Sequence, residues 1–178
     1  MFLDFAELFD MIITILAIGY LVMGIFRRER YYFSVDDLKN DFWESCLLVS
    51  PAIILHELAH KITATAFGFE AVYHANFFGL AVGVIFKYLG LPIIFIPAYV
   101  SIIPTASAVL TKWAFFITAL SGPLTNLALF AVSSFFLKNE KYARQAYIVR
   151  TVNIWLFLFN LIPLPGTDGM QALRALFS

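Results

Sequence analysis

Apolar positions along the chain fall into runs separated by short polar stretches. Residues 11–26 carry no charge, and the run reaches the ~20 residues of a membrane-spanning helix if residues 5–10 extend it. It stops at Arg27-Arg28-Glu29-Arg30. Residues 31–44 are the most polar part of the chain and read as a surface linker. A second span is expected over 46–69, followed by a mixed stretch at 70–78. Residues 80–111 are apolar but interrupted by Pro92, Pro97 and Pro104. Each proline removes a helix hydrogen bond and clashes with the preceding turn, so short strands or re-entrant pieces fit better than a straight span. A kinked helix over part of 98–110 is the alternative.

The clearest span is 113–137, uncharged throughout, with Gly122-Pro123 near its middle as an expected kink. Residues 138–150 read as a short basic connection. Residues 151–162 are apolar but reach only half-way across a bilayer at ~1.5 Å per residue. Pro163-Leu164-Pro165-Gly166-Thr167-Asp168-Gly169 then excludes regular helix, and 170–177 permits it again. The final span is therefore expected to be broken near mid-membrane, with Asp168 at the break. No internal repeat or low-complexity segment is present.

The expected fold is an all-α polytopic membrane protein of about four transmembrane helices with a small strand-containing or re-entrant insert. Residues 1–45 form an N-terminal anchor and polar linker, and 46–178 the core.

Composition strengthens the membrane assignment. Of 178 residues, 61% are hydrophobic and 13% charged, against roughly 45–50% and 25% in soluble domains. Twelve basic and twelve acidic residues balance, so nucleic acid is not an expected partner. The single cysteine, Cys46, excludes an internal disulfide and a cysteine-rich zinc site. Asp4, Glu7 and Asp10 stand before the first apolar run where a cleavable signal would carry basic residues. That run is expected to remain as an anchor.

Within the second span lies Leu55-His56-Glu57-Leu58-Ala59-His60. On a helix, positions four apart share a face, so both imidazoles can address one metal ion. Glu57 is placed to reach a water on that metal. This is the H-E-x-x-H zinc arrangement of two ligands and a general base. Such groups cost about 2.5–3.5 kcal/mol each in a membrane and are rare there without a function. Lys61 lies four residues from Glu57 and is expected either to pair with it or to extend its stem toward an interface.

A catalytic zinc takes three protein ligands and keeps one open position. Candidates for the third are Asp168, His74, Glu70 and the acids more distant along the chain. Thr63 and Ala66 stand where a metzincin would need glycine and histidine, which excludes that class. Asp168 sits in an otherwise apolar break, where a metal would relieve an unpaired carboxylate. Its other reading is a cap on the helix over 170–177.

These residues resemble the site-2 protease family of intramembrane metalloproteases. Three motifs match in order: His56-Glu57-Leu58-Ala59-His60; Ser121-Gly122-Pro123-Leu124-Thr125-Asn126; and Asn160-Leu161-Ile162-Pro163-Leu164-Pro165-Gly166-Thr167-Asp168-Gly169. The family commonly has leucine where this chain has Thr167. The resemblance covers about residues 46–178. It implies zinc, one ion per chain, on His56, His60 and Asp168, with Glu57 as catalytic base and Asn160 hydrogen-bonding an unwound substrate backbone. It implies regulated intramembrane proteolysis, with a membrane protein's transmembrane helix as substrate. Residues 71–97 would supply strands, one edge of which can add the substrate as a strand; His74 there is expected to be structural. A multi-pass protein of the cell membrane, in contact with the lipid bilayer, is implied. Lysine and arginine counting places 27–30 and 138–150 on the cytoplasmic side, whereas the resemblance implies the opposite orientation. The rival readings are a catalytically silent regulator retaining the fold, and a zinc protease of another family acting on soluble loops.

Overall fold

The computed structural model describes residues 3–25, 34–91 and 96–177. The basic cluster at 27–30 and Pro92 lie outside the described residues. In chain order the elements are α1 (Phe5–Val22), α2 (Val35–Leu48), α3 (Ser50–Ala66), β1 (Glu70–Ala75), α4 (Phe77–Tyr88), β2 (Ala98–Ile103), α5 (Lys112–Phe136), α6 (Ala143–Leu161) and α7 (Asp168–Phe177). The protein is mostly helical with a small antiparallel sheet, as the sequence pattern led us to expect.

Three helical stretches among the described residues are long and apolar enough to cross a membrane: Phe5–Val22, Val35–Ala66 and Lys112–Phe136. At ~1.5 Å per residue the last of these exceeds the ~30 Å hydrocarbon core. Large apolar side chains such as Phe5, Phe135 and Phe177 point outward, as lipid-facing residues do. The expected fourth span is a helix pair. α6 carries Arg144 and Arg150 in its first half and ends at Leu161, and α7 restarts at Asp168.

Local chemistry explains where the elements begin. Asp4 and Glu7 form a reciprocal capping box on α1, with Asp4 accepting the Glu7 N–H at 2.8 Å and Glu7 accepting the Asp4 N–H at 3.1 Å. Ser34 and Asp37 do the same for α2. The polar stretch expected to be a linker is therefore helical from Val35, because its acids lie in the first turn, where the helix dipole favours them. Pro51 at the start of α3 lacks only an N–H that an initial turn does not use. α2 and α3 thus follow one another across Val49. The expected basic connection over 138–150 is shorter than its polarity suggested, since α6 begins at Ala143. There the Arg144 guanidinium pairs with Glu44 of α2, one N–H reaching a carboxylate oxygen at 2.7 Å.

The insert contains more than the expected strands. β1 and β2 pair antiparallel, with Tyr73 opposite Val100 and Ala75 opposite Ala98. β2 begins just beyond the expected range, bracketed by Pro97 and Pro104, which cannot donate to a ladder and so mark its ends. Between the strands, α4 is capped by Asn76, whose side chain accepts the Gly79 N–H at 2.9 Å. Lys87 near its end reaches the carbonyls of Tyr20, Leu21 and Met23 at the C-terminus of α1. No helix covers 98–110 among the described residues. α5 runs unbroken through Pro123.

Candidate metal centre

α3 presents His56 and His60 one turn apart, both buried. α5 lies against that face. Gly122 is at the contact: a Cβ there would lie 2.6 Å from His56 Nε2 and closer still to His60 Nε2. Only a residue without a side chain leaves the two imidazoles their place.

Each imidazole is oriented from behind. His60 Nδ1 lies 2.7 Å from the Thr118 carbonyl oxygen, which can only accept, so this nitrogen donates. Asn126, fully buried on α5, donates its amide N–H groups to the Ala52 carbonyl and to Asn153 Oδ1 of α6, each at 2.9 Å. Its oxygen therefore faces His56 Nδ1 at 2.6 Å and accepts from it. In the neutral form both histidines hold their protons on Nδ1, and both Nε2 atoms then carry lone pairs. Those lone pairs face each other at 3.1 Å.

The third member arrives from the break. Thr167 Oγ1 donates to the Ile162 carbonyl at 2.6 Å and accepts the Leu164 N–H at 3.2 Å and the Met170 N–H at 3.4 Å. Thr167 therefore performs the capping that the sequence left open for Asp168, and the Asp168 carboxylate turns elsewhere. Gly169 permits this placement, because a Cβ there would collide with the Leu161 carbonyl at the end of α6. Asp168 Oδ2 lies 3.0 Å from His56 Nε2, and Oδ1 lies 3.3 Å from His60 Nε2. No hydrogen-bond donor reaches the buried Oδ2 among the described residues.

Ligand atoms of His56, His60 and Asp168 thus lie within 4.8 Å of one another. Three sets of lone pairs converge with no proton between them in the neutral-imidazole state. That arrangement is repulsive alone and is relieved by a cation. The donor set of two nitrogens and one carboxylate suits a divalent transition metal.

Glu57, also buried, lines the same cavity of about 950 Å³ as the three. Asn160 lines it too, its amide donating to the Leu156 carbonyl at 3.1 Å. Residues 96–100 and Ile102 form one wall, and Pro165, Gly166 and Thr167 another. His74 is not part of the cluster; it reaches Ser101 Oγ across the strands at 3.0 Å. Lys61 departs from the expectation that its stem reaches an interface. It does not extend to an interface, but is buried and forms an ion pair with Glu7 of α1. A lysine held by a carboxylate and enclosed by three elements has no need of surface water.

Asn126 entered the sequence reading only as the end of the second motif, with no task assigned, and Asn153 did not enter it. The available signal was an amide in an apolar run, which a membrane tolerates only with a partner.

The chain is 30% identical over 172 residues to a Methanocaldococcus jannaschii protein named "Putative zinc metalloprotease MJ0611", an alignment covering 94% of this chain and 83% of that protein. No family model matches the sequence, and no solved structure matches it. With that identity over nearly its whole length, and with Asp168 of α7 meeting the two histidines of the H-E-x-x-H helix in one buried cluster, the chain belongs to the family of that Methanocaldococcus jannaschii protein.

Proposed function

We propose that the chain is an intramembrane zinc metallopeptidase of the site-2 protease type, cleaving a peptide bond within or next to a substrate's transmembrane helix. The observation that carries this reading is the convergence of His56 Nε2, His60 Nε2 and Asp168 at 3.0 to 3.3 Å. Ligand atoms held tetrahedrally about one zinc at roughly 2.0–2.1 Å are separated by about 3.3–3.4 Å, so the three need little adjustment to hold it. When bound, zinc lowers the pKa of a water to about 7 and polarises the scissile carbonyl.

The chain's own residues do the rest. Glu57 takes the proton from the attacking water and delivers it to the departing amine. Asn126 and the Thr118 carbonyl keep the two histidines in the tautomer that binds metal. Asn160, at the end of α6, offers its amide to an unwound substrate backbone, which finds little water at this depth. The edge of β2 offers a template to which that backbone adds as a strand.

Zinc analysis combined with cleavage of a detergent-solubilised single-span peptide tests the assignment. The wild-type chain is expected to hold about one zinc and to cleave, and Glu57→Gln to hold zinc without appreciable turnover. Zinc without cleavage in the wild type would favour a silent regulator that keeps the fold. Stoichiometric zinc in His56→Ala/His60→Ala would rule out this metal site.

A further inference from the structure

The acids of α1 are unusual at the start of an apolar helix, and capping accounts for only part of them. Glu7 receives donors from three elements. Its Oε2 accepts the Asp4 N–H at 3.1 Å, and its Oε1 accepts the Tyr73 N–H of β1 at 2.7 Å and pairs with Lys61 of α3. One turn on, Asp10 Oδ2 accepts the Ala75 N–H of β1 at 2.9 Å. Alternate N–H groups of a strand point to the same side, so Tyr73 and Ala75 both turn away from β2. Two carboxylates from α1 thereby occupy the outer edge of β1.

The same alternation fixes the other edge. Val100 stands opposite Tyr73, Ala98 opposite Ala75 and Ile102 opposite Ala71. At these non-hydrogen-bonded pairs the β2 backbone also turns outward, and all three residues line the metal cavity. Lys61 directly follows His60 on α3, so the residue that grips Glu7 adjoins a member of the metal cluster.

We propose that Glu7 and Asp10 are positioning residues: they close the outer edge of β1 and, through Lys61, lock the sheet to the metal helix, so that a substrate peptide adds only at the β2 edge facing the cavity. The inference rests on the protease reading and assigns a part in it to α1, beyond that of a membrane anchor. Without the clamp, the sheet would present two edges and its distance from α3 would be free to vary. A closed outer edge also removes an invitation to unproductive strand pairing.

The test measures binding of a fluorescent single-span peptide with a glycine-proline break to the full chain carrying Glu57→Gln, which holds the peptide uncut. Zinc content is measured alongside. Glu7→Gln/Lys61→Met keeps the acceptor that closes the β1 edge but gives up the ion pair to α3, and its Kd should rise about threefold with zinc retained. Glu7→Leu/Lys61→Met removes the acceptor and should raise Kd about tenfold while zinc stays bound. Asp10→Leu should raise Kd about threefold, also with zinc retained. Unchanged peptide affinity in the leucine variants overturns the clamp. Parallel loss of zinc overturns it as well, because the acids would then serve the metal helix rather than the sheet. If Glu7→Leu/Lys61→Met does not fold, Asp10→Leu decides by the same criteria. A parent that binds neither zinc nor peptide overturns the protease reading and the clamp together, which separates that failure from failure of the clamp alone.

Discussion

The two walls of the metal cavity are built differently. The α3–α5 wall is dense and fixed: His56 and His60 sit on one continuous helix, each held from behind by a buried acceptor, with Gly122 admitting the contact. The opposite wall is made from interruptions. It comprises the break between α6 and α7, the end of α6 at Asn160, and the open edge of β2. Ligand geometry has to be held closely, so the first wall uses regular helix and paired polar groups. Under the proposed function a substrate strand enters and finds backbone partners here, which suits the irregular backbone of the second, a kind that only protein or water can cover. Asp168 belongs to the second wall yet completes the cluster of the first, which is why Thr167 and Gly169 are needed to place it.

Substitutions in the first wall should act on metal, and those in the second on substrate. The largest effect is expected from Gly122→Ala, whose methyl would occupy the space of both Nε2 atoms. Zinc affinity should fall more than about 100-fold, beyond what groups behind the ligands produce, as read by competition with a chromogenic chelator. Wild-type affinity there would mean that α5 does not press on the histidines as described. Asn126→Leu should weaken zinc by about 10–100-fold, since it removes the acceptor that holds His56 and strands Asn153. If the first wall acts as a unit, Asn153→Leu should give an effect in the same direction but smaller.

Across the cavity, Asn160→Ala should leave zinc bound and lower kcat/KM by about tenfold, a loss expected of one hydrogen bond in a dry site. The defect should shrink for peptides whose helix is already weakened by glycine or proline. Matching zinc loss would move Asn160 to the first wall. The smallest effect is expected from His74→Ala, which gives up cross-strand contacts with Ser101 and Tyr99 and should change zinc content not at all. Zinc loss in this variant would redraw the ligand set.

What was legible in the sequence follows a different division, between local signals and pairings across the chain. The H-E-x-x-H helix, the long α5 span and the break before Asp168 are local signals, each contained within a few turns of chain. The Ser34 capping box was equally local, but the polarity of 31–44 suggested a linker instead. What stayed hidden depends on pairing across the chain. Asn126 meets Asn153, and Lys61 meets Glu7 over 54 residues. β2 is a strand because β1 and α1 complete its sheet. Nothing in a window around Lys61 shows that its partner lies in the first helix.

In the proposed centre His56, His60 and Asp168 hold one zinc ion. Zinc K-edge X-ray absorption on the purified wild-type chain tests it most directly, with Asp168→Asn as the comparison. A light-atom shell at about 2.0–2.1 Å containing two imidazoles and a carboxylate oxygen is expected, with weaker binding and an altered shell in Asp168→Asn. A sulfur scatterer at about 2.3 Å, or a wild-type spectrum unchanged by Asp168→Asn, would contradict it.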